Sequence, residues 1–436
     1  MNPLGLRHFP NIYLPGRCSV ERLRSDVGLP ATVERPSEQE TQETHVLLAG
    51  SLTIATARTA STHPELLLVS PLHGAHLLSC KTTRANASTT ITALVLDQSP
   101  PANRHTVRLA VFLSTGEFII FSVNHHQPRD SVRQLTYLPA ASMPRTAPII
   151  QAAFHGKLLA TLSQSFHLSL YDLSSGTVAH KQTLTSFTSH PPSSLVLTPA
   201  SDTTYKLIIA YAVPVFPEHW SVGVTELIIS TALASLTVSS SRTIRAFDTP
   251  SGWIDEHKLR LMREQWGRKV ARVSDTQTDG KWVVLAPGDR LPVRDDSPTP
   301  GETSDSSSST ASGFVASRLH SPSSLQLYRL YLPTSGSSVP KLNYVRSLHG
   351  QIGPVTSLAL ADGRCVSLAA NGSIWVWDLE AGTGAEVFAG TNSSSEDASN
   401  STNTPALPLE KGHVVFDERR IVSSDSRGVE VRRFDV

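Results

Sequence analysis

Along most of the chain, apolar residues come in short runs of five to eight, separated by Gly, Asn, Asp and Ser. Runs of this length bounded by turn formers predict strands joined by hairpins. Residues 355–382, VTSLALADGRCVSLAANGSIWVWDLEAG, show the unit most clearly: strand, tight turn, strand, turn, and a third strand ending on an aromatic residue and an Asp. The same order returns in 149–176, in 413–436, less regularly in 107–124, and as a trace in 324–336. Two-residue turns with positive φ at both central positions are the expected connection at Asn371-Gly372, with Thr115-Gly116 and Arg427-Gly428 in comparable places.

The strands are not half-polar. Phe118-Ile119-Ile120-Phe121 and Ile374-Trp375-Val376-Trp377 are apolar at successive positions, so both faces of those strands must be covered. Stacked sheets arranged radially supply that cover without leaving an exposed end. The predicted fold is all-β: a β-propeller of about seven four-stranded antiparallel blades over residues 44–436, at roughly 40–45 residues per repeat plus insertions. A pair of β-sandwiches is the competing arrangement. Residues 190–250 are the least regular, so the blade count stays open by one. The last unit supplies three strands, 413–417, 420–425 and 428–434, which leaves an open edge unless another segment fills it. His45-Val46-Leu47-Leu48-Ala49 is the expected donor, closing the ring beside 428–434.

Three segments break the rhythm. Residues 253–271 place Leu259, Met262 and Trp266 at helical spacing, and Ile254 with Leu261 approximately so. Asp255 and Glu256 stand near the start, and Arg268 and Lys269 near the end, as a helix dipole favours. This predicts an inserted helix, either docking a partner through a basic face or packing on the propeller wall. Residues 294–313 and 391–408 lack core-forming side chains and are expected to be disordered loops open to phosphorylation. Residues 1–43 read as a lead-in, with a short helix expected at 19–27.

Charged residues are only 17% of the 436, against roughly 25% in ordinary globular domains. Ser, Thr, Pro and Ala fill the difference, which suits short strands and turns. A net charge of +1 gives no basic footprint for nucleic acid. Cys18, Cys80 and Cys365 are too few and too scattered for a disulfide framework or a Cys-rich zinc site. No stretch approaches the length of a bilayer span, and no signal core opens the chain. A cytoplasmic and/or nuclear protein with no membrane partner is expected, in which Asn86, Asn371, Asn392 and Asn400 carry no glycan.

Enzyme motifs are missing: no phosphate loop, no dinucleotide fingerprint around Gly382-x-Gly384, no G-x-S-x-G elbow. His125-His126 has no His-x-x-x-His partner with a nearby acid and reads as part of a solvated loop. No catalytic residue, cofactor or metal is expected.

The strand endings Trp377-Asp378, Tyr171-Asp172 and Phe434-Asp435, with Phe247-Asp248 as a weaker example, resemble the WD-repeat family. Gly353-Pro354-Val355 is similar to that family's turn into a blade's innermost strand, and Gly412-His413 to its Gly-His pair. Gln351 stands where the family has His, and Asn371 where it has Asp, so the His–Ser/Thr–Trp–Asp tetrad cannot form in full in that blade. The resemblance implies a structural role for Trp377, Asp378, Tyr171, Asp172, Phe434 and Asp435. It implies binding on the rim formed by the loops from strand d to strand a and from b to c. There Gln351, Ile352, Asn371, Asp425, Ser426 and Arg427 are the candidate protein-binding residues.

The function expected is a non-enzymatic protein-protein interaction scaffold. The ring with low-complexity loops and an inserted helix resembles divergent fungal F-box/WD proteins, which implies a substrate receptor or adaptor of a ubiquitin ligase, with a Skp-type adaptor and a cullin as partners. Residues 1–43 do not show the Leu/Pro-rich helical F-box; either it lies upstream in a longer gene product or the ligase reading fails. A general assembly scaffold in chromatin, RNA processing or trafficking is the alternative. A phosphoinositide-binding propeller is disfavoured, because Arg432-Arg433 is followed by Phe434 and not by Gly.

Overall fold

The computed structural model describes residues 18–23, 44–56, 60–82, 88–101, 105–139, 147–231, 236–248, 252–288, 324–333, 339–389, 412–425 and 428–434. They form seven four-stranded antiparallel sheets arranged as the blades of one ring. Blades 1 to 6 occupy 46–79, 91–137, 149–185, 190–245, 272–348 and 355–388, each with its strands a to d in chain order from the axis outward. The innermost strands of successive blades lie side by side.

The doubly apolar strands take the place their pattern demands. In Phe118–Asn124, Ile119 and Phe121 enter the core shared with blade 1, while Phe118 and Ile120 enter the core shared with blade 3. In Ile374–Asp378, Trp375 and Trp377 face blade 5, and Ile374 and Val376 face blade 7. Burial on both faces removes the polar alternation a solvated sheet would keep. The segment 190–250, irregular in sequence, is one blade with the longest strands of the ring, three of them twelve residues long.

The ring closes differently from expectation. The seventh blade is 413–434 completed by Cys18–Leu23, which pairs antiparallel with Gly428–Phe434 in the register Cys18↔Phe434 to Leu23↔Val429. The expected helix at 19–27 is therefore a strand over Cys18–Leu23. Val46–Ala49, the expected donor, is strand a of blade 1; it packs face to face on blade 7. Its apolar side chains suit an inner strand sandwiched between two blades. Cys18–Leu23, with Ser19, Glu21 and Arg22, suits an outer edge, where burial is not required.

Polar ties lock blade to blade. The Asp97 carboxylate accepts from Gly156 N at 2.8 Å and from Arg108 Nε at 2.8 Å, joining blades 2 and 3. Asp275 accepts from Leu358 N at 2.7 Å, Ser357 from Val414 N at 3.2 Å, and Ser424 Oγ donates to Thr44 O at 2.8 Å, joining blades 5, 6, 7 and 1 in turn.

Candidate functional site

Blade 6 fixes one part of the rim, and its chemistry starts in the interior. Trp377 Nε1 donates to Ser367 Oγ at 2.8 Å, and Ser367 Oγ donates to Gln351 Oε1 at 2.5 Å. Gln351 Nε2 then donates to Ser373 O at 3.4 Å. Gln351 thus takes up the hydroxyl that a WD-family His would receive, and the tetrad survives as a three-residue chain without its acidic end. Gln351 is only 2% exposed, so this residue, expected on the binding surface, is a strut beneath it. Asp378 caps the following turn, accepting from Glu380 N at 3.0 Å and Ala381 N at 2.9 Å. Asp172 does the same for Ser174 N at 2.9 Å. Trp377 and Tyr171 are buried between blades.

The turn at Asn371-Gly372 is not the expected two-residue type. Gly372 N donates to Ala369 O and Ala369 N to Ser373 O, both at 2.9 Å, and only Gly372 has positive φ (84°). This is a three-residue hairpin loop with the glycine in the left-handed region. Leu113 to Glu117 repeats it with Gly116, and Ser163 to His167 repeats it with Phe166 at φ 61°. The turn with positive φ at both central residues is Asp362-Gly363, on the opposite face. Because of the wider loop, Asn371 Oδ1 accepts from Ser373 N at 2.9 Å while Nδ2 reaches Ile352 O at 3.4 Å. Asn371 therefore links the b–c loop to the d–a loop and holds Ile352 outward, 71% exposed.

Ile352 ends an arc of exposed apolar residues on the same face. Phe187 (92% exposed) lies in the d–a loop entering blade 4, and Phe216 (87%) in that blade's b–c loop. Trp253 (88%) and the helix Glu256–Gly267 lie in the d–a loop entering blade 5. The helix begins at Asp255, whose carboxylate accepts from Lys258 N at 2.7 Å. None of its residues is buried. Its C-terminal end is seated: Trp266 packs on Phe247 with ring centroids 5.7 Å apart, Arg268 stacks over Tyr344 at 4.2 Å, and Gln326 Nε2 holds Arg268 O at 2.8 Å. Leu259, Met262 and Trp266, picked out by their spacing, line with Phe247 and Arg263 a shallow apolar cleft of about 250 Å³. Ile254 and Leu261 are exposed beside it. Lys258, Arg260, Arg263, Arg268 and Lys269 outnumber Asp255, Glu256 and Glu264 along this segment, so the apolar surface has a basic surround.

Sequence spacing located the helix but missed Phe187 and Phe216. Each is a single aromatic residue in a polar loop, and only the alternation of loop positions between the two faces of the ring shows that they share a side. Asp425 ends a strand on this same rim; Ser426, Arg427 and Asp435 lie outside the described residues, as do the segments 294–313 and 391–408. Phe434 packs half-buried against blade 6. A larger cleft, about 640 Å³, lies on the opposite face at the junction of blades 7 and 1, lined by Arg419, Arg420, Arg433 and Phe434 among others. Arg432 is spent between blades 7 and 6, donating to Ser423 Oγ at 2.9 Å and stacking over Phe388 at 4.3 Å.

Burial works against ionisation of Asp97, but the Gly156 and Ser99 N–H groups and then Arg108 outweigh it and hold its carboxyl below the usual range. Cys80 and Cys365 are buried thiols; loss of solvation pushes Cys80 up to about 12 and Cys365 higher still. Among the described residues, no helix is long and apolar enough to cross a membrane.

The family model described as the F-box protein pof12 β-propeller matches residues 71–410. No curated protein matches the chain. Similar solved structures include the β-propeller domain of Cps50 (Swd1) from Myceliophteria thermophila, at 10% identity and a TM-score of 0.42, covering 91% of this chain and 97% of that one. A computationally designed protein, Ika8, matches at 12% identity and a TM-score of 0.41, covering 91% and 98%. BamB from Moraxella catarrhalis matches at 8% and 0.40, covering 89% and 96%.

Proposed function

Since this chain belongs to the F-box protein pof12 β-propeller family, we propose that it is a non-enzymatic substrate receptor of a ubiquitin ligase that holds its target on the rim of blades 4 to 6. The observation that carries this reading is the arc of Phe187, Phe216, Trp253 and Ile352, with the cleft beside the helix. Large aromatic side chains left in water on one face are costly unless a partner covers them, and such residues dominate binding energy at protein interfaces. The basic surround favours a target segment that combines apolar side chains with acidic groups. Asn371 contributes by fixing Ile352. Asp425 extends the same rim around the ring, and Gln351 supports it from below.

The test is affinity purification of the tagged protein from its own cells, followed by mass spectrometry. Residues 1–436 alone are compared with a form extended upstream of Met1. A Skp-type adaptor and a cullin recovered with the extended form, together with a target lost on Trp253→Ala and Phe216→Ala, support the proposal. Truncating one buried aromatic anchor costs on the order of 2 kcal/mol, or roughly 30-fold in target affinity. A stable assembly recovered from either form with no adaptor or cullin overturns the ligase reading in favour of a general scaffold in chromatin, RNA processing or trafficking.

A further inference from the structure

The face opposite the rim carries a cluster that the spacing of the histidines did not reveal. His105 and His125 extend a strand pair of blade 2. The register Thr106↔Asn124 continues one step outward, where His125 N donates to His105 O at 3.0 Å. Directly opposed residues of an antiparallel pair present their side chains on the same face. Their rings are 6.0 Å apart between centroids. His126 is turned back onto them because Asn124 Oδ1 accepts from His126 N at 3.0 Å and from Gln127 N at 3.1 Å. Its ring centroid is 4.5 Å from each of the other two. Gly50 leaves room for the group: a Cβ there would come within 3.3 Å of His125 Nδ1. The loop is seated by the buried Pro128 that follows.

We propose that His105, His125 and His126 form a binding site for a divalent transition ion, with zinc as the favoured occupant. One ring nitrogen from each residue already lies within 4.8 Å of the others. A tetrahedral zinc with bonds of 2.0–2.1 Å needs its ligand nitrogens about 3.3 Å apart. His105 and His126 are exposed, so rotation of their side chains closes that distance without moving the backbone. Three imidazoles and no carboxylate select a borderline ion such as zinc, nickel or copper over calcium or magnesium. Three protein ligands leave a fourth position for water or an exchangeable group. The ion would clip the a–b turn of blade 2 to its c–d turn.

The experiment is a titration of the untagged full chain with zinc followed by calorimetry, and with cobalt followed by its visible absorption. His105→Gln, His126→Gln and, as a control distant from the cluster, His257→Gln are compared. Both test positions are exposed, so the variants fold as the parent does. One equivalent of zinc whose affinity falls by about tenfold or more in each cluster variant, and not in the control, supports the site. No stoichiometric binding by the parent chain, or an affinity within about twofold of the parent in both cluster variants, overturns it, because the other histidines of this 17-histidine chain would then account for any uptake.

Discussion

Replacing Ser367 by Ala tests whether the polar chain inside blade 6 holds that blade together. Ser367 is fully buried, and its one hydroxyl serves two neighbours, accepting from Trp377 Nε1 and donating to Gln351 Oε1. Trp377 and Gln351 are themselves buried, so water cannot replace the missing partner. Each stranded group costs about 1–3 kcal/mol. Two of them, less the small gain from no longer burying a hydroxyl, give roughly 3 kcal/mol. With about 2.1 cal/mol/K of unfolding entropy per residue over the roughly 310 described residues, that loss lowers Tm by about 5 °C. Ser373→Ala is the matched control: its hydroxyl is also buried in blade 6 but has no hydrogen-bond partner among the described residues. Removing an unsatisfied hydroxyl should leave Tm unchanged or raise it slightly. Both variants are followed by circular dichroism on heating. A Ser367→Ala loss below about 1 °C, or equal losses in the two variants, would refute the claim that this hydrogen-bond chain, and not serine as such, carries the stability.

Phe166 sits at φ 61° where the equivalent loops of blades 2 and 6 have glycine, and it packs on Tyr211 of blade 4. Phe166→Ala should cost about 3–5 kcal/mol, while Phe166→Gly should cost roughly 1 kcal/mol less, because glycine adopts that backbone freely; paired thermal melts check this inversion of the usual order. Asp97 ionises more readily in the folded protein than in the unfolded chain, so its contribution is fully present above the unfolded value near 4 and is lost as pH falls through the lower folded value. Asp97→Asn should therefore destabilise at pH 7, and the gap to the parent should narrow as pH drops below about 4 in denaturant titrations. Cys80 and Cys365 should resist a thiol reagent at pH 8 in the native protein and react once it is unfolded, as peptide mapping would show.

Much of the ring was legible because burial on both faces leaves an unambiguous mark. Phe118–Phe121 and Ile374–Trp377 could not be outer or solvated strands, and the last unit, one strand short, required a partner. The partner is Cys18–Leu23 and not the expected run His45–Ala49. Val46–Ala49 is apolar because it lies between two blades, whereas the true closing strand Cys18–Leu23 stands at an outer edge and carries Glu21 and Arg22. A two-residue turn at Asn371-Gly372 would need positive φ at both residues; the three-residue loop needs it at Gly372 alone and leaves Asn371 to hold Ile352.

The candidate site was less legible than the scaffold. The helix and its stripe of Leu259, Met262 and Trp266 follow from periodicity, which is a local property of the chain. The arc from Phe187 to Ile352 and the meeting of His105 with His125 and His126 do not. Local pattern determined which segments become strands, which faces are buried and where the helix interrupts them, since the pleat and the helical turn have fixed periods that the side chains must match. Only the closed ring decided which loops share a face and which distant residues touch, because those neighbours are set by how seven blades pack around one axis and by no spacing along the chain.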